Sequence, residues 1–252
     1  MAEQEVSFVN SRGKILSGVL HLPSANHASR GVILCHGMES NKESEKLIAL
    51  AGRLSDKGFL TLRFDFACAN AGSGKFEDVT YSGEVEDLTA AFRFLLQQHD
   101  VEKISVFGSS MGGTVALLFA AQAQKVASLV TLAAPVHPEK ITEHLLSPQQ
   151  VADWRRTGYT IYHGRRINVT MLDDLESINV SKAIVEVRCP TLVIHGDRDE
   201  TVPVAEGREL FSLLPGAKEL LVIRGADHRF SDREHLEKVI DRATDWLTSH
   251  SA

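Results

Sequence analysis

Apolar and polar residues alternate at the start of the chain. "EVSFVN" (5–10) and "ILSGVLHLP" (15–23) flank the turn-forming "SRGK", and their period of two predicts an antiparallel hairpin. The pattern then changes. The runs 31–37, 59–65, 103–108, 126–135, 190–196 and 218–225 are short and apolar almost throughout. Strands of that kind are buried on both faces, as in a parallel sheet covered by helices.

Helical periodicity falls between these runs. Residues 44–58 end at Gly58, a residue suited to closing a helix. In 83–99, Val85, Leu88, Phe92 and either Leu95 or Leu96 share one face. Residues 114–123 are rich in Ala and Leu. In 232–250, Leu236, Val239, Ile240, Ala243 and Leu247 recur at helical spacing, with Asp232 near the start. Strands alternating with helices predict an α/β fold with a mostly parallel central sheet and helices on both faces.

Residues 136–184 break this rhythm, being too long for an ordinary crossover. They are richer in charged and aromatic residues, among them Trp154, Tyr159, Tyr162, His163 and Arg166. We expect a core formed by 1–135 and 185–252, with 136–184 inserted as a lid over one end of the sheet. Trp154, Tyr159 and Tyr162 are then candidate substrate contacts. Ligands bind at the carboxyl end of the strands in open α/β sheets.

Composition narrows the class. The 252 residues include 43% hydrophobic ones, enough for a sizeable core, and the net charge is −6. Acidic and basic residues are interspersed, which argues against nucleic acid as a partner. The three cysteines, Cys35, Cys68 and Cys189, have no Cys-x-x-Cys spacing, so neither a disulfide scaffold nor a zinc site is expected. Each reads as a small buried residue rather than a nucleophile. No signal peptide and no membrane-spanning run is visible, so a soluble cytoplasmic protein is expected.

The chemistry concentrates in "KISVFGSSMGGTVALLFAAQ" (103–122), where a strand runs through a Gly-rich corner into a helix. Gly108-x-Ser110-x-Gly112 at such a junction is a nucleophile-elbow pattern. The serine must project from a tight turn, so neighbours two residues away must lack clashing side chains. The N–H of Met111 is free at the helix start and can donate to a developing oxyanion.

A serine nucleophile needs a base, and the base an orienting acid. The histidines downstream are His137, His144, His163, His195, His228, His235 and His250. His137, His144 and His163 lie in the insertion. His235 and His250 fall in the last helix, and His195 reads as packed against a turn. His228, in "IRGADHRFSD" between a strand and that helix, is the candidate base. Asp197 and Asp199 both follow the strand "TLVIH", and spacing alone does not separate them.

"CHGMES", "GSSMGG", "HGDRDETVP" and "GADHRFSD" occur in an order that resembles the α/β-hydrolase superfamily over essentially the whole chain. Within it, "RFDF…GSGKFEDVTYSGEVEDL" and "LLVIRGADHRFSD" are most similar to segments of small bacterial carboxylesterases of the cinnamoyl/feruloyl esterase type. The resemblance implies Asp199 as the acid, in Gly-x-x-Asp-x-x-Val ending at Val202. It implies the backbone N–H of Met38 as the first oxyanion donor, beside Met111, with His36 and Gly37 shaping that turn. Two departures stand out: Ser109, where many such esterases carry histidine, and "FACANAGSG" (66–74) in place of a His-Gly-x-Ser-type loop.

The implied activity is that of a serine carboxylesterase on small carboxylic esters, hydroxycinnamoyl or short-chain acyl esters among them. Ser110, Asp199 and His228 would carry it, with no metal or organic cofactor. The alternatives are an acylaminoacyl or prolyl-type peptidase, a monoacylglycerol lipase, a thioesterase, or a non-catalytic ligand-binding protein. A small-molecule ester is the expected partner; nucleic acid and membrane are not, and a homo-oligomer is left open.

Overall fold

The computed structural model describes residues 2–23, 28–69, 72–98, 101–123, 125–140 and 146–251. His144, the last residue of the 83–99 helix pattern and positions 70–71 of the "FACANAGSG" loop lie outside the described residues. The N-terminal hairpin is β1 (Ala2–Val9) with β2 (Ile15–Leu22), paired antiparallel. It joins β3 (Arg30–Cys35), β4 (Leu60–Phe64), β5 (Lys103–Ser109), β6 (Val126–Leu132), β9 (Thr191–Gly196) and β10 (Lys218–Ile223) in one sheet ordered β1-β2-β4-β3-β5-β6-β9-β10. From β4 to β10 all neighbours are parallel.

Register sets up the site. Cys35 pairs Gly108, Ser109 pairs Leu132, Leu132 pairs Ile194, and Ile223 pairs Gly196. The carboxyl ends of β3, β5, β6, β9 and β10 therefore finish at one edge, and the loops that follow them must meet there.

Alternate residues of each central strand bury into different layers, as a two-sided sheet requires. Val32, Leu34, Phe107, Leu192 and Ile194 pack with α1 (Glu45–Asp56) and α8 (Arg233–His250). Ile33, Leu62, Val106 and Val193 pack on the other side, with α2 (Tyr81–Leu96) and α3 (Met111–Gln122). Leu95 is the buried one of the Leu95/Leu96 pair; Leu96 is exposed. Strand β10 is only half-buried, because it is an edge strand rather than an interior one.

Several boundaries differ from expectation, among them the start of α2 at Tyr81 and the end of β3 at Cys35. Helix α3 starts at Met111 rather than Thr114, so Ser110 alone separates strand from helix. Gly112 and Gly113, which weaken an isolated helix, are held inside this one by the surrounding backbone. Strand β6 stops at Leu132, where Ala133 turns at φ 51°. The loop after β9 continues into α7 (Val204–Leu213), which the apolar pattern did not single out.

Residues 136–184 contain α4 (Pro148–Thr157), a hairpin of β7 (Tyr159–Tyr162) and β8 (Arg165–Asn168), α5 (Val169–Ser177) and α6 (Val180–Ile184). Helix α4 begins with a reciprocal Ser147–Gln150 capping box and ends at Gly158 in the left-handed region. The hairpin reaches the main body through His163 Nδ1 to Glu39 (3.0 Å) and Asn168 Nδ2 to Asp78 (2.8 Å). Among the described residues no helix is long and apolar enough to cross a membrane.

Candidate active site

Strand β5 delivers Ser110 in a conformation few non-glycine residues adopt, φ 54° and ψ −126°. Such backbone costs on the order of 1–3 kcal/mol and persists only when its surroundings enforce it. Here they do. Ser110 N–H donates to Leu132 O at 2.7 Å, and the Ser110 carbonyl accepts from Gly113 N–H at 2.8 Å. A Cβ on Gly108 would lie 2.3 Å from Gly112 O, and one on Gly112 would lie 2.4 Å from His36 O. The backbones of β3, β5 and α3 thus touch at van der Waals distance, and only glycine fits between them.

His228 sits in the loop between β10 and α8. Its Nε2 is 3.1 Å from Ser110 Oγ and its Nδ1 is 2.8 Å from Asp199 Oδ2. With Nδ1–H donating to the carboxylate, Nε2 is left as the acceptor for the serine hydroxyl. The Asp199 side chain is fully buried, and its other oxygen accepts from the N–H groups of Thr201 (2.9 Å) and Val202 (2.7 Å). Burial opposes ionisation of this carboxyl, but hydrogen bonds from His195 and His228, the nearby imidazole and the Val202 N–H prevail. They hold its pKa well below the usual carboxylate range.

The structure therefore separates the two aspartates. Asp197 is exposed and its carboxylate accepts from Gly225 N–H, tying the β9 turn to the β10 turn, while Asp199 faces His228. His195 is fully buried, with Nε2 2.8 Å from Val202 O and 3.3 Å from Asp199, so it packs the acid loop. His137 binds Glu139 and Glu209, and His163 binds Glu39. None of these three contacts Ser110.

The turn after β3 carries Met38. Buried His36 shapes it: Nδ1 is 2.8 Å from Gly37 O, and Nε2 accepts from Phe66 N–H at 3.2 Å. Burial lowers the pKa of this imidazole, in keeping with a neutral ring. A Cβ on Gly37 would sit 3.2 Å from Ser110 Cβ, so this turn passes directly beside the serine. Met38 N–H has no acceptor among the described residues. Met111 is the first residue of α3, where an N–H lacks an intrahelical partner.

Two cavities meet at Met38 and Tyr162. The larger, about 340 Å³, contains Ser110 and His228 and is lined mostly by polar residues, among them Ser44, Lys46, Ser109, Arg229, Glu39 and His163, with Met38, Leu47 and Tyr162 as its apolar part. The smaller, about 70 Å³, is apolar and lies under the insertion, against Tyr81, Trp154, Ile167 and Met171. Of the three aromatic residues expected as lid contacts, Trp154 and Tyr162 line these spaces. Tyr159 does not: its ring is exposed on the outside of the hairpin, beneath the Arg166 guanidinium. Strand alternation from Tyr162 could have shown that, but not without knowing the hairpin.

Lys46 was missed. It looks like an ordinary charged residue in the first turn of a helix, yet its Nζ reaches Ser109 Oγ at 3.4 Å. Burial brings its pKa down to about 8, with Asp227 opposing the shift and Arg229 adding to it. Among the described residues no cluster of His, Cys, Asp or Glu could hold a metal ion. The three cysteines are free thiols; Cys35 and Cys68 are buried, while Cys189 is half-buried. Burial raises all three thiols, which makes them poor nucleophiles.

Comparison with known proteins follows the same lines. Residues 54–252 match the model of the prolyl oligopeptidase family. A bovine mitochondrial palmitoyl-protein thioesterase, ABHD10, is 22% identical, over 84% of this chain and 71% of its own. An uncharacterized 31.7 kDa Escherichia coli protein from the traX-finO intergenic region is 22% identical over 91% and 94%. Among solved structures, ferulic acid-bound Est1E from Butyrivibrio proteoclasticus superimposes with a TM-score of 0.87 at 23% identity, covering 97% of this chain and 99% of that one.

Proposed function

The chain belongs to the prolyl oligopeptidase family, on the α/β-hydrolase fold, and we propose that it is a serine carboxylesterase acting on small esters. The observation that carries this reading is the run of hydrogen bonds from Asp199 through His228 to Ser110. In the first step the Ser110 hydroxyl proton passes to His228 Nε2 as Oγ bonds to the ester carbonyl carbon. The N–H groups of Met38 and Met111 receive the oxyanion. When the carbon–oxygen bond to the alcohol breaks, Nε2 returns its proton to the leaving oxygen. Water then attacks the acyl-enzyme by the same relay, releasing the acid and restoring Ser110. Asp199 keeps the imidazole oriented and stabilises its cation.

The two cavities divide the substrate. The leaving oxygen must face His228 Nε2, so the alcohol belongs in the polar cavity, and the acyl group in the apolar one beside Met38. At about 70 Å³ the acyl space is smaller than the ~150 Å³ cavity that binds benzene in another protein. Short acyl groups fit as it stands; a hydroxycinnamoyl group or a long chain requires residues 136–184 to move as a lid.

A peptidase that takes a free substrate N-terminus would need carboxylates to hold the amine. Asp173 and Glu176 are instead paired with Arg155 on the surface, and Asp174 accepts from Ser82 N–H. Steady-state rates on p-nitrophenyl esters from acetate to laurate, p-nitrophenyl ferulate and an aminoacyl-p-nitroanilide test the reading. Acetate and butyrate should be fastest, and the anilide inert. Ser110→Ala should lower kcat by roughly 10⁴–10⁶. Near-normal turnover by folded Ser110→Ala would end the proposal, and a folded wild type inert on every ester would favour a ligand-binding protein.

A further inference from the structure

The polar cavity contains a cation that the acyl-transfer chemistry does not use. Lys46 projects from the first turn of α1 toward Ser109, the residue before the nucleophile. Among the described residues, its one polar contact is a long hydrogen bond to a neutral hydroxyl, and no carboxylate comes within 4.0 Å of Nζ. A half-buried cation whose hydrogen-bond partner is a neutral hydroxyl is favoured when a group of negative charge binds beside it.

The surroundings point to what that is. Arg229, at the rim, places a second cation beside the same space. Ser44 caps α1 without using its side chain on the helix, so its hydroxyl is free to face the cavity. Glu39, the carboxylate lining the same cavity, is hydrogen-bonded to His163 Nδ1 at 3.0 Å rather than to Lys46. Asp227 attracts Lys46 from beyond 4.0 Å, and its carboxylate is held by Ser231 N–H at 2.8 Å.

Resting on the acyl-transfer reading above, we infer that Lys46, with Arg229, binds an anionic group carried by the leaving alcohol, so that the preferred substrates are esters of short acids with a hydroxylated carboxylate or phosphate. The side is fixed by His228: the leaving oxygen has to be within its reach, and Lys46 and Arg229 line the cavity that contains His228. Lys46 is thus a specificity-determining residue.

The test compares phenyl butyrate with 4-carboxyphenyl butyrate in wild type, Lys46→Met and Lys46→Arg. Taking the ratio of kcat/KM values for the two esters, then comparing enzymes, cancels the intrinsic reactivity of the esters. A hydrogen-bonded charge contact is worth about tenfold to a hundredfold. Lys46→Met should therefore lower the carboxylate-to-neutral ratio by tenfold or more, and Lys46→Arg should restore most of it. Arg229→Gln, at the rim, should lower the ratio by about twofold. As inhibitors of phenyl butyrate hydrolysis, 4-hydroxybenzoate and phenyl phosphate should both weaken in Lys46→Met, and the tighter of the two in wild type identifies the anion. An unchanged ratio in Lys46→Met, with the ester still hydrolysed, would overturn the inference while leaving the esterase reading intact. Failure of that reading would show separately, as phenyl butyrate turnover that survives Ser110→Ala.

Discussion

The corner at Ser110 and the insertion above it are held in opposite ways. At the corner, three backbones converge so closely that no side chain fits, and an unfavourable serine conformation is fixed by hydrogen bonds to β6 and α3. Residues 136–184 close on the core through buried apolar side chains, Val136, Trp154, Ile167, Met171, Leu172, Leu175, Val180 and Ile184, and are dressed with exposed ion pairs. A nucleophile and its oxyanion donors must stay within a fraction of an ångström of one geometry, whereas an acyl pocket need only exclude water and admit the right shape. On the proposed mechanism, the difference teaches where change is tolerated: rigidity sits where bonds are made, and adaptability where substrates are sorted.

The largest effect should come from Gly112→Ala. The new Cβ would meet His36 O at 2.4 Å and Cys35 O at 2.8 Å, both backbone atoms with nowhere to go. Overpacking of this kind costs about 3 kcal/mol or more, a fall in Tm of roughly 6–12 °C for a chain this long. Moving the β3 turn by even an ångström should also cut kcat on p-nitrophenyl acetate by about a hundredfold. Wild-type Tm and kcat in this variant would break the contrast at its rigid end.

Trp154→Ala tests the other end. It enlarges the apolar cavity rather than distorting the corner, so kcat on the acetate ester should fall by less than about tenfold. The rate on p-nitrophenyl ferulate relative to acetate should rise by about tenfold as the acyl space opens. An unchanged acyl profile would remove Trp154 from the pocket wall. Smallest of all, Arg155→Ala breaks the exposed pairs with Asp173 and Glu176. It should leave Tm within about 2 °C and activity within about twofold; a larger loss would mean that surface charge, not packing, holds the insertion down.

The same contrast explains what could be read from the residues. The central strands declare themselves because burial on both faces demands unbroken apolar runs, and Gly108-x-Ser110-x-Gly112 declares the corner because sterics leave no other residue type. His228 could be selected by its place between a strand and the last helix. Spacing alone does not separate Asp197 from Asp199, since both follow the same strand by a few residues, although the family resemblance implies Asp199. The fold shows the physical difference, one bonded to the β10 turn and the other to His228. The start of α3 was misjudged because two glycines read as loop, whereas here the close contact that requires them lies inside the helix. The β7–β8 hairpin and Lys46 escaped for a common reason. Their roles depend on long-range placement over the sheet edge, and neither apolar periodicity nor chain spacing carries that.

The most direct measurement is mass spectrometry of the wild-type enzyme quenched in acid during turnover of p-nitrophenyl butyrate, followed by peptide mapping. The expected result is a single butyryl group on the peptide bearing Ser110, absent from Ser110→Ala. Steady release of nitrophenol with the group on another residue, or on none under conditions that trap acyl-enzymes, would contradict the assignment of Ser110 as the nucleophile.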